Sequence, residues 1–258
     1  MRKINIAEEE VRIVEFICNQ LEKAGLDHLI VGISGGIDSA VTAALCVKAI
    51  GKDKVKGFLL PYKHSHPDSL NHGKLLVEYL GIEYYKIEIS PMVDIFFDEY
   101  FPEAGSLRRG NRMARERMCV LYDQSARFGG LVAGTGNKSE LLTGYVTQYG
   151  DGACAFEPMG HLYKTEVYQL ANLLKIPKEL IDKEPTADLW DGQTDESEMG
   201  LSYALLDELL YRLYERCESE ADILADGYKQ EDINRVKELY HKSKFKRNLP
   251  PQLELIKK

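Results

Sequence analysis

Short β-branched apolar runs alternate with helix-length segments along the first half of this chain, and that alternation narrows the possible folds more than any other feature. His28 to Ile33 (HLIVGI) is too short for a helix and has no polar face, which predicts a strand buried on both sides. Val55 to Leu60, Glu83 to Ile89 and Leu131 to Ala133 repeat the pattern. Glu8 to Lys23 carries apolar residues at Val11, Val14, Phe16, Ile17 and Leu21 and stops near Gly25, as an amphipathic helix would. Asp38 to Ile50, rich in Ala and Val, and Asp68 to Leu80 read as helices, and Gly105 to Phe128 holds one or two more. Lys164 to Leu174, Tyr203 to Arg216 and Asp232 to about Lys244 complete the set, with Pro250 and Pro251 stopping the last. Strands separated by helices pair in parallel and are covered on both faces, an α/β architecture. Ligands of such sheets collect at the carboxyl ends of the strands. The site is therefore expected in the loops after Ile33, Leu60 and Ala133.

A chain of 258 residues can bury a sizeable core, and it is read as one domain spanning 1–258. The net charge of −8, with no long run of Lys or Arg, argues against a dedicated nucleic-acid or membrane-surface binder. The five cysteines, Cys18, Cys46, Cys119, Cys154 and Cys217, are scattered and never spaced as CxxC. Inert reduced thiols fit them better than a disulfide framework or a zinc site. The acidic N-terminus is no signal peptide, and no segment approaches the ~18 consecutive apolar residues of a membrane span. These features read as cytoplasmic.

Ser34-Gly35-Gly36-Ile37-Asp38-Ser39 lies between a predicted strand and a predicted helix. Two glycines let the backbone approach an anion, and the first amides of the helix point at it. Asp38 would repel a bare phosphate, so its presence suggests a bridging divalent cation. No Lys follows the glycines, so this is not a Walker A loop. Gly134-Thr135-Gly136-Asn137-Lys138-Ser139-Glu140 follows the strand LVA and offers a hydroxyl and a carboxylate at a second strand end. Taken alone, Glu140 reads as a carboxylate at a helix N-terminus; with Asp38 it makes a hard-cation site. Gly110 to Met118 (GNRMARERM) places Arg112 and Arg115 on one helix face, while Arg117 cannot share it. Lys164 stands at a helix start, where the helix dipole disfavours a cation, a small hint of function. His64-Ser65-His66, in a Pro-containing loop with no third ligand, reads as surface.

SGGIDS resembles the pyrophosphate loop of N-type ATP pyrophosphatases, which adenylate a substrate while cleaving ATP to AMP and pyrophosphate. GNRMARERM is similar to the GNxxARxRM signature of the NAD synthetases. GDGAC (150–154) with LYKTEV (162–167), EPTADL (184–189) with DESEMGLSY (195–203), and KRNLP (246–250) match further blocks of that family. The resemblance runs from about Ile30 to Pro250. It implies an adenine-nucleotide α-hydrolase-like (Rossmann-like) fold, with ATP, deamido-NAD and ammonia as substrates, Mg²⁺ as cofactor and a homodimer with sites near its interface. It places ATP at Gly32, Ile33, Ser34, Gly35, Gly36, Ile37, Asp38, Ser39, Thr135, Lys164 and Thr186, and the metal at Asp38 and Glu140. Asp38 and Lys164 would be the catalytic pair, Lys164 holding phosphate oxygens as pyrophosphate departs. Deamido-NAD would meet Arg115, Gln148, Ala155 and Lys246. Gln148 stands where many members have Lys, Ala155 where many have Asp, and Phe245 where relatives have His. No glutaminase segment is recognisable, so free ammonia is expected. The SGGxDS loop alone would also suit a tRNA-modifying or GMP-forming enzyme, or a regulator that has lost catalysis.

Overall fold

The computed structural model describes residues 1–190 and 192–253. Asn5 caps α1 (Ile6–Ala24) by accepting from the Ala7 and Glu8 amides, and Gly25, at φ 65°, ends it in a left-handed turn. The buried stripe of α1 is Glu10, Ile13, Ile17 and Leu21. Val11 and Phe16, expected on that stripe, are exposed, because a register of 3.6 residues through Ile13 and Ile17 turns them outward.

Then come β1 (His28–Gly32), α2 (Ile37–Ile50), β2 (Val55–Leu59), α3 (Pro67–Leu80), β3 (Glu83–Lys86), α4 (Ser90–Tyr100), α5 (Ser106–Phe128) and β4 (Gly130–Ala133). All strands are parallel, in the order β3-β2-β1-β4. Gly105 to Phe128 holds a single long helix, α5, within the one or two expected. One expectation is corrected here: the third strand stops at Lys86, short of Ile89, because Ser90-Pro91 opens α4.

Side chains alternate across β1. Leu29, Val31 and Ile33 enter a core with Ile13 and Ile17 of α1, Val41 and Leu45 of α2, and Leu76 of α3. Ile30 faces the other way, into a core with Phe58, Val132, Val93 and Met113 from the β2, β4, α4 and α5 segments. The α/β sheet is thus covered on both faces, as its apolar strands require. The small residues of α2, Ala40, Ala43 and Ala44, let it lie close to the sheet. At the edge, β3 is mostly exposed and charged, and Lys56 of β2 reaches Glu83 at 2.6 Å.

Beyond the sheet lie α6 (Lys138–Thr143), α7 (Lys164–Leu173), α8 (Lys178–Ile181), α9 (Asp195–Met199), α10 (Tyr203–Leu210), α11 (Glu220–Ala225) and α12 (Gln230–Lys242). A π-turn at Tyr211–Glu215 follows α10, so the predicted helix to Arg216 is not uniformly α-helical. Leu206, Leu209, Leu210, Ile223, Ile233 and Val236 build a third core here. Ile17 is wholly buried between α1 and the sheet core. Ile17→Ala should lower unfolding free energy by about 2–5 kcal/mol in urea titration, since the helix cannot collapse into the gap. A loss below about 0.5 kcal/mol would show that α1 is not integral to this core.

Candidate functional site

The strand order reverses at β1, which lies between β2 and β4, and the loops leaving those strands surround a cavity of about 440 Å³. That is the place and size expected of a ligand site in an open parallel sheet. Gly32, Ile33, Ser34, Gly36, Ile37, Asp38 and Ser39 line it, as do Thr135, Glu140, Lys164, Thr186 and Lys246. At its floor, Phe58, Leu60, Met118, Leu121 and Val132 form an apolar wall.

The corner at 34–39 is held by its own side chains. The Ser34 and Ser39 hydroxyls lie 3.1 Å apart, the Gly36 amide donates to Ser34 Oγ, and Ser39 Oγ donates to the Gly36 carbonyl. The next amides open α2 and have no intrahelical acceptor, the usual anion-binding arrangement. Gly35 has φ 76°, and a Cβ there would lie 2.2 Å from the Ser69 carbonyl oxygen.

Asp38 and Glu140 converge on one cation. The Lys164 ammonium bonds Asp38 Oδ2 and lies 3.4 Å from Glu140 Oε1. Asn137 ties the corner together. Its Nδ2 donates to Asp38 Oδ1 at 2.9 Å, and its Oδ1 accepts from the Glu140 amide as a capping box. Burial, then the charge of Asp38, push the Glu140 carboxyl above the usual range, with Lys164 opposing them. Burial alone would lower the Lys164 ammonium, but Asp38 and Glu140 outweigh it and hold the group firmly protonated. Asp195, 4% exposed, joins the cluster from α9, accepting from the Tyr203 hydroxyl at 2.9 Å.

Cations of a second kind face the cavity. Arg117, Lys183 and Lys246 have no ion pair among the described residues. Arg117 donates to the Leu60 carbonyl at 3.0 Å, Lys183 to Ser69 Oγ at 3.0 Å, and Lys246 to the Gly144 and Val146 carbonyls at 2.7 Å. Burial lowers all three pKa values, so each charge lacks a full counter-ion. Such a lining suits a polyanion.

Arg115, Gln148 and Ala155 do not line this cavity. Arg115 is exposed and donates to the Gln148 carbonyl at 3.3 Å; Ala155 is exposed and its amide bonds Val132. Gly35 supports the loop rather than lining it, and Thr186 lines the cavity while its hydroxyl accepts from the Asp188 amide. Arg117, Lys183 and Asn137 were not singled out from sequence as ligand-facing. The spacing Leu107, Asn111, Ala114, Met118, Leu121 marks the cavity face of α5 and carries Arg117 with it. His66 caps α3 by accepting from the Asp68 amide, in keeping with a surface reading of His64-Ser65-His66. All five cysteines are free; Cys46 is buried, while Cys119 and Cys217 are exposed. No helix is long and apolar enough to cross a membrane among the described residues.

The family model described as NAD synthase matches residues 9–250. The chain belongs to the NAD synthase family. An ammonia-dependent NAD synthetase of Fusobacterium nucleatum is 48% identical over 247 residues, covering 96% of this chain and 95% of that protein. Among solved structures, an ammonia-dependent NAD synthetase of Campylobacter jejuni, determined with a nitrate ion, has a TM-score of 0.83 at 34% identity. It covers 98% of this chain and 100% of that one. An NMN synthetase of Francisella tularensis has a TM-score of 0.88 at 31% identity, with the same coverage. NAD synthase membership makes this an ATP-dependent ligase of NAD biosynthesis and sets aside the GMP-forming and tRNA-modifying readings of the loop.

Proposed function

We propose that this chain adenylates the nicotinate carboxylate of deamido-NAD with ATP and passes the activated acyl group to ammonia, giving NAD, AMP and pyrophosphate. The observation that carries this reading is the convergence of Asp38, Glu140 and Lys164 at the head of α2, beside a cavity with an apolar floor and cations that have no ion pair among the described residues. The apolar wall suits an adenine ring, and the amides at 34–39 suit the triphosphate.

The donor set fits Mg²⁺, because two carboxylates already share one cation position and offer hard oxygen ligands. Among the described residues no group of three or more His, Cys, Asp or Glu has ligand geometry, so phosphate and water would complete the coordination. Bound there by Asp38 and Glu140, the metal would neutralise triphosphate charge.

In the first step a carboxylate oxygen bonds to the α-phosphorus and the bond from that phosphorus to the β-bridging oxygen breaks. Negative charge builds on pyrophosphate, and Lys164, which must turn from Asp38 to follow it, together with the α2 amides, stabilises that charge. Lys183, held against the Gly35 carbonyl and Ser69 Oγ beside the same corner, and Thr186, which also lines the cavity, would flank the phosphates. In the second step ammonia adds to the acyl carbon, a proton is lost, and AMP leaves. The protein supplies positioning and fixed charge rather than a covalent nucleophile.

Arg115, Gln148 and Ala155 are proposed as dinucleotide contacts outside the ATP cavity, with Lys246 at its rim. A homodimer is supported by Met92, Ile95, Tyr100, Phe101 and Leu107, exposed apolar residues on and between α4 and α5. The same reading puts the enzyme in the cytoplasm. Nicotinate mononucleotide is a second acceptor to consider, since the Francisella relative is an NMN synthetase. Incubation with ATP, Mg²⁺, ammonium and each acceptor should yield AMP and amidated product in equal amounts, with deamido-NAD preferred. Preference for the mononucleotide would reassign the acceptor; AMP without any amide product would refute the ligase reading.

A further inference from the structure

Asp207 of α10 belongs to none of the blocks that line the cavity, yet it is fully buried beneath them. It accepts from the Ser139 hydroxyl through Oδ1 and from the Thr165 amide through Oδ2 at 2.9 Å. Ser139 Oγ accepts in turn from the Lys164 amide at 2.9 Å. The first two amides of α7 are therefore tied to one carboxylate, one directly and one through a hydroxyl. Ser139 also immediately precedes Glu140 in α6. The group that faces the leaving phosphate and one carboxylate beside it thus hang from a single buried anchor.

The cost of this arrangement suggests that it is used. A buried carboxylate is expensive unless its lone pairs are occupied, and an apolar residue at 207 would pack into the α10 core more cheaply. The same helix begins at Tyr203, whose hydroxyl holds Asp195 and whose ring lies 5.1 Å from the Lys164 ammonium. Helix α10 touches the Lys164 cluster at two points, one polar network at each.

We propose that Asp207 is a positioning residue, setting the α7 N-terminus so that Lys164 meets the departing pyrophosphate. This rests on the role given to Lys164 above, and a double-mutant cycle separates the two claims. In Asp207→Asn, kcat for AMP formation should fall about 10–100-fold, the range seen when groups that orient a functional residue are lost. KM for deamido-NAD should hold. In a Lys164→Gln background the same substitution should change kcat less than about 3-fold, because the group it positions is gone. The shift in melting temperature caused by Asp207→Asn should persist in both backgrounds. Equal fold-losses of kcat in both would overturn the proposal and leave Asp207 a purely structural residue. A Lys164→Gln protein as active as the parent would instead overturn the role of Lys164, and the proposal with it. If Asp207→Asn does not fold, Ser139→Ala, which cuts only the relayed bond, should reproduce the same non-additivity; additive losses there would overturn the proposal.

Discussion

Asp38→Ala is expected to abolish ATP-dependent AMP release while the protein still folds. The backbone at 38 is the first turn of α2, where Ala is well tolerated. What the substitution removes is the acceptor of Asn137 Nδ2 and of the Lys164 ammonium, and half of the proposed cation site. Glu140 alone, 3.4 Å from Lys164, cannot hold the same arrangement. Losing one preorganised electrostatic group commonly costs about 10²–10³ in kcat, and here binding of the metal–nucleotide pair is lost as well. Single-turnover AMP formation with a thermal melt run in parallel checks both halves. AMP release at the parent's rate would remove Asp38 from the chemistry.

Gly35→Ala is expected to be almost as damaging for a different reason. At φ 76° a side chain is disfavoured on backbone grounds alone. Its Cβ would also stand 2.2 Å from the Ser69 carbonyl oxygen and 3.1 Å from the Gly73 nitrogen, backbone atoms that cannot swing away. Either α3 moves or the phosphate corner rebuilds, at a cost of about 1–3 kcal/mol in stability. ATP affinity measured by calorimetry should drop well beyond that seen for Gly36→Ala. Gly36 has φ −101°, and the nearest atom to a Cβ there is the Ser34 hydroxyl at 3.4 Å. Equal ATP affinities in the two variants would refute the close-approach argument.

The sheet and the corner at 34–39 were legible because their physics is local. A strand buried on both faces must be apolar throughout, and a glycine turn into a helix must expose amides, whatever the rest of the chain does. Helix α5 was legible in place but not in orientation. Three arginines at 112, 115 and 117 spread around its circumference, and only tertiary contact decides that Arg117 faces inward while Arg115 bonds the Gln148 carbonyl. Short α8, α9 and α11 escaped because four to six residues show no periodicity, and α4 because the apolar Ile87 and Ile89 before it extend the strand pattern up to its first residue. Asn137 and Asp207 were invisible for another reason: their value lies in partners 99 and 68 residues away in sequence. Within the DESEMGLSY block, Asp195–Met199 is helical and buries Asp195 and Met199, which its polar sequence does not announce.

Asp38 and Glu140 grow from β1 and β4, neighbours joined by backbone hydrogen bonds along Leu29↔Leu131 to Val31↔Ala133. Ladder geometry thus fixes the strands they leave, and Asn137 ties the two carboxylates to that frame. By contrast, the segments around Gln148 and Lys246 belong to no strand. An engineer wishing to amidate a different carboxylic acid could rewrite those outer segments freely and leave the activating half untouched, as one changes the jaws of a vice without recasting its frame.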